Sequence, residues 1–539
     1  MRGWKFAKKI PHTYWFWYFV GVFFATIGSL FQRGPGYMDV AYYTVGGLQI
    51  FEGKGFFEPY LWNYLSEPKG LPFPAFTYWM PLPSMLVFLG MLLGNSTAFF
   101  WAKLPFTLLT GLLPVLSVYV ARRLLRNSVY AWIAGGLAVI PGIYIIYLSL
   151  PETFVLYMIG GGLFIIVAFL ANDSWLGSLY SSQRFFLLGL IAGWMHLTRA
   201  DGLIWLFAAA GIVVWRTRPW NSSGKLRGFI WGTITLLAGY LVLTGAWYYR
   251  NWLFFGGLFP PGNSKSLWLT HYNELYSFPN DHLNFSYWFK SGWKAILQAR
   301  LKSLGINLQN FLAVQGSIVL VPLILAGTWS RKKLPIVKFG ILMWLVILGI
   351  MTVVFPFAGS RGGFLHSGAA TQIFFWVMAV VGLEQWILWM KKIRGWSSTF
   401  AISLFGTFLI LVNTSISIWF FQQRVIGGGN DPIWDKSIVL YQKVADRLKD
   451  LGITNHALGM VNNPPGYYWA TRMPSIVIPD GDINHSLAAA SKFGASYLLL
   501  ERNQENLIDL YQNPKDSSNL HYIETFNNIH IFLIIPGAD

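Results

Sequence analysis

Apolar stretches of about 20 residues recur along most of this 539-residue chain. A helix needs about 20 apolar residues to cross the roughly 30 Å hydrocarbon core of a bilayer, so each stretch predicts a membrane-spanning helix. The predicted spans are 12–32, 98–121, 128–149, 153–171, 185–199, 201–215, 228–249, 306–329, 336–357, 368–390 and 397–420. The pattern therefore predicts a polytopic α-helical membrane protein with about 11 transmembrane helices.

One further apolar stretch, 75–94, decides the topology, and Pro81 and Pro83 interrupt it. If it does not cross, the basic clusters all fall on one side, which the positive-inside rule makes the cytoplasm. We therefore interpret 75–94 as a re-entrant or surface-lying helix, in a multi-pass plasma-membrane protein with a cytoplasmic N-terminus. The clusters are Lys5/Lys8/Lys9, Arg122/Arg123/Arg126, Arg184, Arg216/Arg218/Lys225/Arg227, Arg331/Lys332/Lys333 and Lys391/Lys392/Arg394.

The same topology divides the chain into a transmembrane part, 1–424, and a soluble part, 425–539. The first external loop is 33–97 and another is 250–305. After residue 424 helical and strand-like patterns alternate, which predicts a small extracytoplasmic α/β domain. The expected helices are 435–451 and 487–493, and the expected strands are 457–461, 475–478, 497–501, 522–526 and 529–535.

Composition narrows the possible functions. Only 12% of the residues are charged, about half the usual share, and 18% are aromatic. The net charge of +18 comes from short clusters between apolar runs, which is typical of membrane topology and argues against a nucleic-acid partner. The chain has no cysteine, which excludes disulfides and thiol nucleophiles. No Walker, GxSxG or HExxH motif supports an ATPase or hydrolase.

The segment 36–56 places Asp39, with Tyr42 and Tyr43 after it, where the chain leaves the first predicted span. Apolar positions then recur at helical spacing until Gly53 and Gly55, which predicts a short amphipathic helix on the membrane face. Asp39 could be a general base, because proton removal from a hydroxyl needs a carboxylate or histidine within reach. It could equally be a helix cap whose carboxylate accepts from first-turn N–H groups.

Three arginines lie at the predicted outer surface, where the topology rule does not favour them. Arg199 and Arg250 each end a span, and Arg361 lies in a glycine-rich turn. An arginine fork suits phosphate oxygens, so three together favour an anion site. The alternative for each is internal pairing, for example Arg199 with Asp201 or Glu152.

Other polar residues share that face. Glu152 begins a span where the helix dipole alone would favour it, Asp201 could be only an N-cap, and His366 could orient a phosphate or sugar. Carboxylates in one cavity could also hold a divalent metal through oxygen ligands, with Asp39 as the first candidate. No ligand spacing identifies such a metal, and no cofactor is required by the sequence.

The order of these motifs resembles the GT-C membrane glycosyltransferases, which include protein O-mannosyltransferases and the aminoarabinose transferase that modifies lipid A. The resemblance covers roughly residues 12–390. It rests on Asp39-Val40-Ala41-Tyr42-Tyr43 with Glu52-Gly53-Lys54-Gly55-Phe56, on Pro151-Glu152-Thr153, on Leu197-Thr198-Arg199-Ala200-Asp201-Gly202-Leu203, and on Trp247-Tyr248-Tyr249-Arg250-Asn251 with Phe255-Gly256 and Pro260. Many members have Asp-Glu where this chain has Asp39-Val40, so either Asp39 acts alone or Glu152 supplies the second charge.

The resemblance implies transfer of a sugar from a polyprenyl-phosphate donor to a hydroxyl of a protein or glycolipid acceptor, on the outer face. Asp39 would then deprotonate the acceptor or hold a metal. Arg199, Arg250 and Arg361, with Lys69 or His366, would hold the donor phosphate. Two alternatives remain: an inactive homologue that acts as a membrane scaffold, and a transporter for a lipid-linked solute. A transporter should show inverted repeats and polar residues at mid-span, and the sequence shows neither.

Overall fold

The computed structural model describes residues 12–125, 127–170, 181–428, 432–516 and 519–535. The basic residues Lys5, Lys8, Lys9 and Arg126, used above to orient the chain, lie outside this part. The fold is mostly helical, at 71%.

Twenty-two α-helices follow one another along the described chain. They are α1 His12–Ser29, α2 Met38–Phe51, α3 Leu82–Gly94, α4 Phe99–Thr110, α5 Leu112–Leu124, α6 Ser128–Val139, α7 Phe154–Ile165, α8 Ser181–Thr198, α9 Leu203–Thr217, α10 Ser223–Phe255, α11 Phe285–Lys290, α12 Trp293–Asn310, α13 Val321–Ser330, α14 Pro335–Gly349, α15 Pro356–Ala358, α16 Phe364–Gly368, α17 Gln372–Arg394, α18 Ser398–Phe421, α19 Lys436–Asp450, α20 Pro464–Thr471, α21 Ile483–Phe493 and α22 Ile508–Gln512.

Eight strands complete the described elements. They are β1 Phe57–Glu58, β2 Tyr60–Leu61, β3 Phe73–Pro74, β4 Leu458–Val461, β5 Ser475–Val477, β6 Ala495–Leu500, β7 Leu520–Phe526 and β8 Ile529–Ile534. The five strands and two helices expected after residue 424 are confirmed as β4 to β8, α19 and α21. Strand-like apolar runs predicted β4 and β6 well because both strands are largely buried in the sheet.

Two compact units divide these elements. The helical unit contains the described parts of Met1–Phe31, Lys103–Trp247 and Lys302–Gly427. The sheet unit contains Gln32–Ala102, Tyr248–Leu301 and the described parts of Gly428–Asp539. The first external loop thus belongs to the same unit as the C-terminal segment. The predicted division at residue 425 stays a prediction.

The helical unit is built around α17. Every residue of α17 from Gln372 to Glu384 is buried, and α5, α6, α7, α13 and α18 pack against it. In lipid there is no hydrophobic force that drives helices together, so they associate by close van der Waals packing, which small residues allow. Gly382 of α17 is such a residue, because a Cβ there would lie 2.0 Å from the carbonyl oxygen of Leu323 in α13.

The chain is a multi-pass membrane protein. Six helices of the described chain are long and apolar enough to cross a bilayer: Phe99–Leu124, Ala200–Asn221, Ser223–Phe255, Pro335–Val354, Pro356–Arg394 and Ser398–Ile426. Four shorter apolar helices are Leu82–Gly94, Ser128–Val139, Phe154–Leu170 and Val321–Ser330. The predicted number of eleven spans is not confirmed.

The proline-interrupted stretch 75–94 forms α3, which begins only at Leu82 with proline in its first turn. Thirteen residues extend about 20 Å at 1.5 Å per residue, short of the roughly 30 Å that a span requires. The length of α3 therefore agrees with a helix that does not cross.

The sheet unit carries a six-stranded mixed sheet in the order β2-β5-β4-β6-β8-β7. Strands β2, β5, β4 and β6 are parallel, and β8 and β7 are antiparallel. Tyr441, Leu448 and Tyr467 of α19 and α20 pack on one face, and Ala489 and Ala490 of α21 on the other. Strand β2 comes from the first external loop and pairs through Tyr60 with Ser475 of β5. The local pattern of 60–61 did not predict this edge strand.

Candidate active site

Asp39 lies in the first turn of α2, and its side chain is partly buried. The N-cap position belongs to Tyr37, whose side chain makes no capping hydrogen bond. Asp39 is therefore not the N-cap residue of this helix. Its negative charge still stands where the helix dipole favours an anion.

Helix α2 is not amphipathic as expected, because each residue from Val40 to Gln49 is buried. It packs against α3 and α20, and the side-chain amide of Gln49 donates to the hydroxyl of Tyr468 at 3.1 Å. The pattern prediction was wrong here because tertiary partners cover the helix on all sides. A fully packed helix is a rigid support for Asp39.

A buried glutamate, Glu58 of β1, anchors this helix to its own loop. Its Oε1 atom accepts from the hydroxyl of Tyr42 at 2.5 Å and from the backbone N–H of Phe76 at 2.9 Å. Burial raises the pKa of Glu58 to about 7. Tyr42 is thus held inside the unit, and so is the neighbouring Tyr43. Glu58 is not among the predicted site residues, because nothing in the local sequence signals the pairing.

Arg250 at the end of α10 donates to the same loop. Its Nη2 atom lies 2.7 Å from the carbonyl oxygen of Ala75 and 3.5 Å from that of Phe56. Its Nη1 atom lies 3.0 Å from Oδ1 of Asn251. The guanidinium therefore joins two stretches of the first external loop. Lys69, in the same loop, is exposed.

In the helical unit, Asp201 is the centre of a hydrogen-bonded group. Its Oδ1 atom accepts from Nε of Arg199 and from the hydroxyl of Tyr157, both at 3.0 Å. Its Oδ2 atom accepts from the hydroxyl of Ser367. The internal pair of Arg199 and Asp201, one alternative of the sequence analysis, is thus present. Tyr157 and Ser367 were not predicted, since neither stands out from its apolar neighbours.

Glu152 and His366 form a second hydrogen-bonded group, which lies next to the Asp201 group in the sequence around α7 and α16. Nδ1 of His366 lies 2.9 Å from Oγ1 of Thr153 and 3.6 Å from Oε1 of Glu152. The imidazole stacks on Phe154, with 4.1 Å between ring centroids. Glu152 is almost completely buried, and its Oε1 atom also accepts from the Thr153 backbone N–H at 2.7 Å.

These two groups form one polar cluster, because Thr153, the N-cap of α7, is one helical turn before Tyr157, and His366 and Ser367 are neighbours on α16. A close approach fixes the spacing: a Cβ on Gly161 of α7 would lie 1.8 Å from the carbonyl oxygen of Ala370. We use the name polar cluster for Glu152, Thr153, Tyr157, Arg199, Asp201, His366 and Ser367.

Arg361 lies just before α16 in a kinked segment, Gly359–Gly363, in which Arg361 and Gly362 have non-helical backbone angles. Its side chain is exposed. Gly362 has φ +119°, a conformation that only glycine adopts readily, so this turn depends on the glycine. Of the ten predicted site residues, the helical unit brings Glu152, Arg199, Asp201 and His366 together, with Arg361 five positions from His366.

The sheet unit carries the other five predicted residues, Asp39, Tyr42, Tyr43, Lys69 and Arg250. Tyr42 and Arg250 are joined by neighbouring residues of one loop, since Tyr42 contacts Phe76 and Arg250 contacts Ala75. The roles of all ten residues stay predictions.

No protein-family profile and no curated protein matches the sequence. Solved structures do match. ArnT from Cupriavidus metallidurans bound to undecaprenyl phosphate has a TM-score of 0.55 at 10% identity, over 96% of this chain and 97% of that one. Its apo state gives a TM-score of 0.54 over 97% and 98%. The fold is that of the GT-C membrane glycosyltransferases.

A second GT-C protein is similar over a smaller share of its length. The archaeal oligosaccharyltransferase AglB from Archaeoglobus fulgidus, in complex with an inhibitory peptide and a dolichol-phosphate, has a TM-score of 0.49 at 11% identity. The alignment covers 92% of this chain and 70% of AglB. At such identities the similarity concerns the GT-C fold and not individual residues.

The polar cluster suits two kinds of chemistry within this GT-C fold. Nε of Arg199 donates to Asp201, and the planar fork of a guanidinium is a geometry that suits phosphate oxygens. Glu152 and His366 offer an oxygen and a nitrogen donor 3.6 Å apart, a pair that could share a proton or contribute to a metal site. The packing of an apolar core does not require Glu152, Arg199, Asp201 and His366, and the capping of a helix would require only one of them.

Proposed function

We propose that this protein is an integral-membrane glycosyltransferase that moves a sugar from a polyprenyl-phosphate donor to an acceptor hydroxyl at the outer membrane face. The observation that carries the proposal is the polar cluster at the ends of several helices in a GT-C fold. Buried charge at membrane depth is costly, and its concentration in one place favours a substrate site.

The reaction divides into two tasks for the protein. The acceptor oxygen forms a bond to the anomeric carbon while the bond from that carbon to the donor phosphate breaks. The proton of the acceptor hydroxyl must be removed, and the polyprenyl phosphate leaves with an added negative charge. A carboxylate performs the first task and cationic donors the second.

We assign the first task to Asp39, on the rigid α2. We assign the phosphate to Arg199 and Arg361, with Lys69 and His366 as further ligands. Arg250 we assign a positioning role, because its guanidinium donates to the carbonyl oxygens of Phe56 and Ala75. These roles rest on the motif resemblance and on the contacts within each unit.

The donor and acceptor are proposed by class. ArnT was solved with undecaprenyl phosphate and AglB with a dolichol-phosphate and a peptide. Both lipids are polyprenyl phosphates, so a polyprenyl-phosphate sugar is the donor class that we propose. The acceptor is a hydroxyl of a protein or of a glycolipid.

A divalent metal is a further proposal. Asp39 is our candidate ligand from the sequence, and in the helical unit Glu152 and His366 are oxygen and nitrogen donors. A bound divalent cation would add positive charge against the leaving phosphate. Dialysis against a chelator, followed by return of Mg²⁺, Mn²⁺ or Zn²⁺, tests this: a metal enzyme loses transfer and regains it with one of the ions.

The main experiment uses purified protein in lipid and measures donor binding and sugar transfer separately, with a panel of labelled polyprenyl-phosphate donors. Wild type and Asp39→Asn should bind the donor equally, whereas transfer should fall about 10²–10⁴-fold in the variant. Asp482→Asn is the matched control, because Asp482 is the N-cap of α21 and accepts from the Asn484 and His485 N–H groups. Because asparagine caps a helix about as well as aspartate, this control should keep nearly wild-type stability and retain transfer.

The competing functions give other results. If wild type binds no donor and Asp39→Asn only lowers the melting temperature, an inactive homologue that acts as a membrane scaffold becomes the better description. If wild type moves a labelled lipid across the bilayer without transferring sugar, the transporter is correct.

A further inference from the structure

The segment 285–301 exposes a row of large apolar side chains. It comprises α11 and the first half of α12. The side chains of Phe285, Phe289 and Trp293 are 56%, 64% and 75% exposed. These residues are four positions apart, and the row continues along α12 with exposed Leu297 and Leu301. Positions four apart lie on one side of a helix, so α12 carries an apolar stripe.

Basic side chains accompany this row. Lys290 and Lys294 each follow an apolar member of the row directly and are exposed. The guanidinium of Arg300 lies over the ring of Trp288, 5.3 Å from its centroid. No aspartate or glutamate occurs from 283 to 301. The segment therefore combines exposed aromatic rings with uncompensated positive charge.

We propose that segment 285–301 lies in the interfacial region of the outer leaflet and binds anionic phospholipid headgroups. Tryptophan and phenylalanine on one side of a helix, with lysine and arginine beside them, are typical of segments that lie in a membrane interface. Long basic side chains extend from an apolar surface towards phosphates. The proposal stands independently of sugar transfer.

The neighbouring elements favour a lipid over a protein partner. Helix α10, a candidate span, ends at Phe255 in the part of the chain that precedes the segment, and its last turns expose Trp252 and Leu253. Protein interfaces are depleted of lysine, whereas here Lys290 and Lys294 stand directly beside the apolar row. The positive-inside rule does not predict excess positive charge in an external loop, so it does not account for Lys290 and Lys294. Binding of an anionic lipid would account for them.

The absence of cysteine makes a depth measurement straightforward. A spin label is attached to Phe289→Cys, and, as the matched control, to Lys449→Cys on the exposed side of α19. Both variants are reconstituted in bilayers of phosphatidylcholine with phosphatidylglycerol. At Phe289 collisions with oxygen should exceed those with a water-soluble nickel chelate, and at Lys449 the order should reverse. Nickel dominance at Phe289, or a label shielded from both reagents by a second protein surface, would overturn the proposal.

The charge component is tested with spin-labelled lipids. Wild-type protein should immobilise labelled phosphatidylglycerol in preference to labelled phosphatidylcholine. Substitution of Lys290, Lys294 and Arg300 by glutamine should reduce this preference towards equality, and added salt should reduce it in wild type. Control substitutions Lys443→Gln and Lys449→Gln in α19 should leave it unchanged. Equal preference in wild type and the triple variant would mean that anionic lipid is not the partner.

Discussion

The hydroxyl of Tyr42 and the backbone N–H of Phe76 donate to one and the same oxygen of Glu58, at 2.5 Å and 2.9 Å. The carboxylate thereby joins the helix that carries Asp39 to a later stretch of the first external loop, at Phe76. Because the group is buried, its protonation should affect the stability of this region.

We expect the melting temperature to fall between about pH 5 and pH 8 in a manner that depends on Glu58. Burial raises the pKa of Glu58 in the folded chain to about 7, so the folded state holds the proton more tightly than the unfolded state does. The stabilisation is complete below the unfolded value near 4.5 and is lost as the pH rises through 7. The difference corresponds to an upper limit of about 3 kcal/mol.

Thermal unfolding of wild type and Glu58→Gln across this pH range measures the effect. The variant should have the flatter profile, because glutamine does not titrate. Identical slopes for the two proteins would show that Glu58 does not titrate in this window. Glu505→Gln, in an exposed turn, is the control and should keep the wild-type slope.

Substitution of Asp201 should weaken donor binding through Arg199. Asp201→Asn removes the charge that fixes Nε of Arg199, while Tyr157 and Ser367 keep hydrogen-bond partners. Loss of a charge-assisted hydrogen bond costs about 1.5–3 kcal/mol, so donor affinity should fall roughly 10- to 100-fold. A double-mutant cycle with Arg199→Gln, read by donor binding, should give strong coupling. Additive effects would mean that Asp201 does not act through Arg199.

Replacement of Arg250 by lysine should destabilise the protein more than the same change at an exposed pair. Lysine cannot reproduce the contacts with Ala75, Phe56 and Asn251. We expect a loss of about 1–3 kcal/mol in the free energy of unfolding. Arg447→Lys is the control, since Arg447 pairs with Glu524 on the surface, where solvent screens the attraction and the pair contributes little to stability. Equal losses in the two variants would show that the contacts of Arg250 with the first external loop do not stabilise the protein more than a surface pair does.

Gly161→Ala should disturb the polar cluster by moving α7. The added Cβ would lie 1.8 Å from the carbonyl oxygen of Ala370, so the helix must shift, at about 1–3 kcal/mol. Gly245→Ala in α10 is the matched control, because a Cβ there meets no atom within 4 Å. Gly161→Ala should lower both the melting temperature and donor affinity, whereas Gly245→Ala should raise the melting temperature slightly. If Gly161→Ala is destabilised but binds the donor as wild type does, the packing of α7 at Gly161 does not control the donor site.

Local sequence patterns correctly predicted those elements whose own apolar residues indicate which positions are buried. The strands of the C-terminal sheet and the helices α19 and α21 belong to this class. The pair of Arg199 and Asp201 was also foreseeable, because the two residues are two positions apart in one motif. These predictions needed no knowledge of distant segments.

Features that depend on distant segments were not predictable in this way. Helix α2 was expected to be amphipathic, yet α3 and α20 cover it. The roles of Glu58, Tyr157 and Ser367 arise from partners 16 to 166 positions away along the chain. The number of spans stays a prediction, since six described helices are long and apolar enough to cross a bilayer and four further apolar helices are shorter.

The pairing of β2 with β5 has a consequence for the order in which the protein can mature. Tyr60 cannot pair until Ser475 has been synthesised. Gln49 likewise cannot form its hydrogen bond until Tyr468, 419 positions later, has been synthesised. During synthesis the first external loop therefore remains incomplete while the predicted spans, the last of which is 397–420, are made and inserted into the membrane. A nascent chain with every span in place would still lack a finished first loop, so the enzyme we propose would acquire activity only after the segment that carries Tyr468 and Ser475 had been made and folded.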